Sequence, residues 1–135
     1  MYSEDAKEKA RGRLRELLTL QRDVTSRFGD SDYNVFIFGS YPTVRYVEGR
    51  SDIDIAVYTE DFSLYKQIAM FLEDYFEGRN IDVDIFYIDT SVEAPIFCAP
   101  LQSALQFTDY FPERLKAFEK KCQVRLDETK DRVNP

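Results

Sequence analysis

Apolar residues return every three or four positions between Ser3 and Phe28, at Ala10, Leu14, Leu17, Leu18, Val24 and Phe28. That period predicts an amphipathic helix, with Ser3 as its cap and Glu4 and Asp5 in the first turn. Gly29 to Asp32 reads as a turn. From Tyr33 to Phe38 the helical period gives way to aromatic and β-branched residues, a buried strand that stops at Gly39-Ser40. Tyr41 to Arg50, which holds Pro42 and Gly49, is a loop. Strict alternation makes Ser51 to Tyr58 a second strand, with Ile53, Ile55 and Val57 on one face and Asp52, Asp54 and Ala56 on the other.

Thr59 to Asp61 turns the chain into a second helix, Phe62 to Glu77. Its apolar stripe is Leu64, Ile68, Phe71, Leu72, Tyr75 and Phe76, and Gly78 ends it. Ile81 to Ile88 is a third strand, in which Ile81, Val83, Ile85 and Tyr87 alternate with Asp82, Asp84, Phe86 and Ile88. Ser91 to Phe107 has no clear period, although a short helix is expected after Pro100. Pro112 to about Val133 is a last helix, with Leu115, Phe118, Cys122 and Leu126 along one side. The order helix, strand, strand, helix, strand, helix contains no repeat and no linker. It predicts one α/β (α+β) domain spanning residues 1–135, a small mixed sheet backed by helices.

Composition narrows the chemistry. At 135 residues, 44% hydrophobic and 15% aromatic, the chain has ample material for a packed core, which excludes intrinsic disorder. It has no histidine, so Ser-His-Asp triads, Cys-His pairs and His-ligated zinc are excluded. Cys98 and Cys122 make no disulfide framework and have no metal-site spacing. No apolar run is long enough to cross a bilayer, and the polar N-terminus shows no secretory signal, so the cytoplasm is the expected compartment. A net charge of −7 repels a phosphate backbone and disfavours general nucleic-acid binding.

The charge is uneven along the chain. Ser51 to Ala94 carries eleven acidic residues against Lys66 and Arg79 alone, which points to a cation. Lys7 to Arg27 is basic and reads as an ordinary solvated helix face.

The acidic centre has a definite geometry. Asp52 and Asp54 stand two apart on a strand, so both carboxylates leave the same face. Like charges side by side cost stability unless something neutralises them. Ile53 and Ile55 fix the other face in the core, so the register cannot slip. Asp82 and Asp84 form a second such pair, and three or four carboxylates converge if the two strands are neighbours. Clustered hard oxygens suit Mg²⁺ or Mn²⁺, with water and substrate phosphate completing the shell. Asp82, close to the turn at Gly78 to Asn80, is read equally well as a solvated strand end. Gly39-Ser40, directly after a strand, gives a tight turn whose amides and hydroxyl suit a phosphate.

Phe38-Gly39-Ser40, then Ser51-Asp52-Ile53-Asp54-Ile55-Ala56-Val57, then Val83-Asp84-Ile85-Phe86 together resemble the DNA polymerase β-like nucleotidyltransferase superfamily. The resemblance covers Tyr33 to Ile88, and the last helix is similar to the closing helix of the stand-alone minimal nucleotidyltransferases. It implies a mixed sheet backed by helices that binds a nucleoside triphosphate and a divalent metal, Mg²⁺ or Mn²⁺. Gly39 and Ser40 would hold the outer phosphates, with Ser51, Arg45 and Arg50 as further nucleotide-binding candidates. Asp52 and Asp54 would ligate metal, and Asp84 would be the third carboxylate, which activates the acceptor hydroxyl; Asp82 is the alternative. Many minimal members follow Gly-Ser with a small residue, Arg and Gly, whereas this chain reads Tyr41-Pro42-Thr43-Val44.

A chain of this size leaves no room for a separate acceptor domain. Stand-alone minimal members are typically antitoxins paired with a HEPN-domain protein, to which they transfer AMP from ATP. The resemblance therefore implies an adenylyltransferase whose acceptor is a partner protein. A non-catalytic module that covers a partner's active site is the alternative, favoured by the altered loop after Ser40. An acidic domain unrelated to nucleotides is a third reading, which requires all three motif elements to coincide by chance.

Overall fold

The computed structural model of the chain describes residues 2–92, 95–102 and 105–133. Ser3 caps α1 (Glu4–Phe28) by accepting the Ala6 amide at 3.1 Å, and Gly29 closes it with a positive φ of 54°. The buried stripe of α1 is Ala10, Arg13, Leu17, Leu20 and Val24, a spacing of three and four residues throughout. This corrects the expected stripe, because Leu14 and Leu18 are 41% and 47% exposed. They flank the stripe rather than form it. Arg13 takes the inward position because backbone carbonyls await its guanidinium there.

β1 (Asn34–Phe38) and β2 (Ile53–Tyr58) pair antiparallel, with Ile37 opposite Ile55 and Phe38 opposite Asp54. α2 (Phe62–Glu77) begins at Asp61, whose carboxylate accepts the Ser63 and Leu64 amides, and ends at Gly78 as the sequence predicts. It is the crossover that a parallel pair needs, and β3 (Val83–Tyr87) then pairs parallel to β2. The stretch before Phe107 holds one element that the sequence did not predict and one whose start it misplaced. The helical residues there begin at Pro95 rather than after Pro100: a short helix α3 (Pro95–Cys98) runs into a 3-10 turn (Ala99–Gln102). A two-residue strand, β4 (Leu105–Gln106), then pairs antiparallel with β1. The sheet order is β3-β2-β1-β4, so β1 and β2 are central.

Helices cover both faces. Leu17, Leu20 and Val24 of α1 and Ile68, Leu72 and Phe76 of α2 pack on Val35, Ile37, Ile53, Ile55 and Val57. On the opposite face, Phe36, Ala56 and Tyr58 meet Cys98, Leu101 and, from α4 (Glu113–Val133), Leu115, Phe118 and Cys122. The side chain of Leu126, expected on this stripe, lies outside the described residues. Cys98 and Cys122 are joined in a disulfide, with Cα atoms 5.5 Å apart. Sequence spacing suggested no framework here, and a separation of 24 residues cannot reveal that α3 folds back onto α4.

Asn34, fully buried at the start of β1, ties the C-terminal return to the sheet. Its side-chain amide donates to the Tyr110 carbonyl at 2.9 Å, and its Oδ1 accepts the Thr108 amide at 3.1 Å. Among the described residues no helix is long and apolar enough to cross a membrane.

The corrected stripe makes a direct prediction. Leu20→Ala, which truncates a fully buried side chain, is expected to cost about 2–5 kcal/mol in urea unfolding. Leu18→Ala should stay within about 0.5 kcal/mol of wild type. Equal losses would show that α1 is rotated from the orientation described.

Candidate functional site

The site forms where β1 ends and β2 and β3 begin. Ile53 and Ile55 are buried against α1 and α2, so Asp54 between them must leave the other face of the sheet. The parallel register sets Asp84 directly beside Asp54 on the neighbouring strand. Asp52 sits one alternation earlier, just outside β2, and is exposed. The Asp54 carboxyl is held above its ordinary value of 3.8, first by partial burial and then by the negative charges of Asp84 and Asp52. These three are therefore electrostatic neighbours. Asp82 adds nothing to the rise at Asp54; its charge, like that of Asp52, acts on Tyr46, and it borders a hollow with Glu73, Glu77 and Asn80.

Among the described residues no lysine or arginine forms an ion pair with Asp52, Asp54 or Asp84. Nor is any group of three acidic or thiol side chains gathered tightly enough there to enclose an ion. The donor set nonetheless fits a hard divalent cation in kind: carboxylate oxygens, crowded, and answered by no basic side chain.

Gly39 lies against this cluster. Its φ is +77°, a conformation that costs other residues strain, and a Cβ there would overlap the Asp54 carboxylate, coming within 3.2 Å of Cγ. Glycine is thus required twice over, by backbone and by space. The contact brings the Gly-Ser turn onto the carboxylates. The next residue, Ser40, accepts both the amide and the hydroxyl of Thr43 through its carbonyl, at 2.9 and 2.7 Å.

The remaining candidates are spread along the loop. Arg45 is exposed and borders a cavity of about 810 Å³ that also touches Gly39, Phe38 and Pro42. Arg50 is exposed, and its amide donates to the Val47 carbonyl. Ser51 accepts the Val47 amide on its hydroxyl at 3.2 Å, so that hydroxyl closes the loop. The structure thus brings Gly39, Asp52, Asp54 and Asp84 together and leaves Arg45 and Arg50 at the rim.

A model of the family described as a nucleotidyltransferase domain matches residues 17–124. The chain belongs to that family. No curated protein and no solved structure matches it. The four-stranded mixed sheet with helices on both faces is the α+β architecture expected of a nucleotidyltransferase domain.

Sequence reasoning missed one part of this nucleotidyltransferase domain. Arg13, Glu16, Tyr41 and Tyr46 anchor the loop after Ser40 to α1. The available signal was an arginine in phase with Ala10, Leu17, Leu20 and Val24, a position where a charge needs buried partners.

Two predictions follow from the packing at Asp54. Gly39→Ala is expected to lose about 1–2 kcal/mol from backbone strain alone, read by urea unfolding, and to displace the Asp54 carboxylate. For Asp54 the folded state holds its proton more tightly than the unfolded chain does, so its contribution to stability falls as pH rises from the ordinary carboxylate value of 3.8 towards the raised folded value. Asp54→Asn should therefore be more stable than wild type at neutral pH, with the difference shrinking as the pH falls through the raised folded value and largely gone once it is below 3.8. A variant less stable than wild type at pH 7 would contradict the crowding.

Proposed function

We propose that this nucleotidyltransferase domain is a metal-dependent adenylyltransferase that moves AMP from ATP to a hydroxyl of a partner protein, as the antitoxin of a HEPN-type pair. The observation that carries the reading is the contact of Gly39 with Asp54, beside Asp84: a phosphate-suited turn resting on unpaired carboxylates. The partner and the antitoxin role come from the resemblance to stand-alone minimal members.

In this reading Asp52 and Asp54, with Asp84 beside them, hold Mg²⁺ or Mn²⁺. Bound there, the cation supplies positive charge against the negative charge that builds on the phosphates in the transition state. The turn at Gly39 and Ser40 orients the β- and γ-phosphates. Asp84 accepts the proton of the acceptor hydroxyl as its oxygen bonds to the α-phosphorus. The bond from that phosphorus to the bridging oxygen breaks, and pyrophosphate leaves. Every group the chain contributes is a carboxylate, a hydroxyl or an amide, which agrees with its lack of histidine.

A second reading is favoured by one observation. Because the three carboxylates are neighbours without being gathered around one point, a non-catalytic module that covers a partner's active site would retain the same fold. Thermal unfolding with and without ATP and Mg²⁺ separates the two. Ligand that binds only the folded state raises stability by RT ln(1 + [L]/Kd), about 2.7 kcal/mol at a hundredfold excess over Kd. Wild type is expected to show a metal-dependent upward shift that Asp52→Asn/Asp54→Asn lacks, followed by transfer of labelled AMP to the partner. No shift at millimolar ATP would favour the non-catalytic reading.

A further inference from the structure

The sheet explains the carboxylates, but the loop from Ser40 to Tyr46 belongs to no helix or strand and needs another support. That support is Arg13 of α1, which is 9% exposed. Its Nε donates to the Tyr41 carbonyl at 2.7 Å and its Nη2 to the Thr43 carbonyl at 2.8 Å. The guanidinium carbon stands 4.9 Å from the centre of the Tyr46 ring and 5.8 Å from that of Tyr41. One turn further along α1, Glu16 accepts the Tyr41 hydroxyl at 3.1 Å. Among the described residues Arg13 forms no ion pair. A buried cation without a carboxylate is costly to keep, and here its partners are carbonyls of one loop and the rings beside them.

The hydrogen bonding of the loop is one-sided. The carbonyls of Ser40, Tyr41 and Thr43 all accept. The successive amides of Gly39, Ser40 and Tyr41 donate to no acceptor among the described residues. Consecutive free amides beginning at a residue of positive φ form an anion-binding concavity. A loop whose carbonyls are held toward α1 keeps those amides for a ligand.

We infer that Arg13 is a positioning residue: it fixes the carbonyls of Tyr41 and Thr43 so that the amides of residues 39–41 are presented to a polyphosphate chain. The inference rests on the nucleotidyltransferase reading and deepens it. It also accounts for an arginine rather than a lysine, since the planar fork holds two carbonyls at once and lies on a ring, and an ammonium does neither.

The test is calorimetric binding of Mg-ATP and of Mg-tripolyphosphate to wild type, Arg13→Met and Arg13→Lys, well below each protein's unfolding temperature. Arg13→Met is expected to weaken both ligands alike, by about tenfold or more. Arg13→Lys should regain thermal stability without regaining affinity, a split that a purely structural brace would not produce. Wild-type affinity in a cooperatively folded Arg13→Lys overturns the inference, and that variant carries the test if Arg13→Met does not fold. A wild type that binds neither ligand overturns the nucleotidyltransferase reading and this inference with it; bound wild type with unaffected variants overturns the inference alone.

Discussion

Ile53, Ile55 and Val57 are fully buried beneath α1 and α2, and side chains alternate along a strand, so Asp54 has only the opposite face to occupy. Everything at the site descends from that register. The parallel neighbour places Asp84 level with Asp54, and the antiparallel neighbour places Phe38 level with it. The residue after Phe38 is then Gly39, which arrives on the Asp54 carboxylate with no room for a side chain. A slip of one position would send the carboxylates into the core and the isoleucines into water. The hydrophobic packing of one face thus holds like charges together on the other.

That arrangement sets stability against function. The crowding raises the Asp54 carboxyl above its usual value through burial and through Asp84 and Asp52, and among the described residues no basic side chain relieves it. Elsewhere the domain satisfies its buried groups: among the described residues every buried side-chain nitrogen or oxygen has a partner. Asn34, Thr59 and Arg13 are buried polar residues and each is bonded to backbone carbonyls or amides. The acidic cluster is therefore a local exception within a well-satisfied fold, and local exceptions of this kind collect at functional sites.

What the sequence revealed and what it withheld divide along a physical line. Local signals were readable. The alternation of Ile53, Asp54 and Ile55 gave the face of the carboxylates, and the spacing of Ile68, Leu72 and Phe76 with Gly78 gave α2 and its end. Non-local pairing was not. A strand of two residues, β4, has no period to detect and exists because Asn34 and Thr108 tie the return to β1. The link from Cys98 to Cys122 depends on α3 meeting α4. On α1, Leu14 and Leu18 outrank Arg13 by hydrophobicity, yet Arg13 is inside, because its burial is decided by carbonyls that arrive from thirty residues away. The third carboxylate was left between Asp82 and Asp84 since both share one parity, and only the pairing of β2 with β3 sets Asp84 beside Asp54.

The departure after Gly-Ser is best understood with Arg13 in view. Where many minimal members read a small residue, Arg and Gly, this chain reads Tyr41-Pro42-Thr43-Val44, which adds bulk and puts the loop's first arginine at Arg45. The bulk has a place: Tyr41 is buried against Phe76, Tyr46 and Glu16, and with Tyr46 it forms the ring surface on which the guanidinium lies. Pro42 has no amide to satisfy and narrows the backbone between the two clamped carbonyls. The cation set against the carbonyls of this loop thus comes from α1, while Arg45 of the loop itself stays exposed. The loop after Gly39 is held in a fixed form from α1, through the carbonyls of Tyr41 and Thr43 and the rings of Tyr41 and Tyr46.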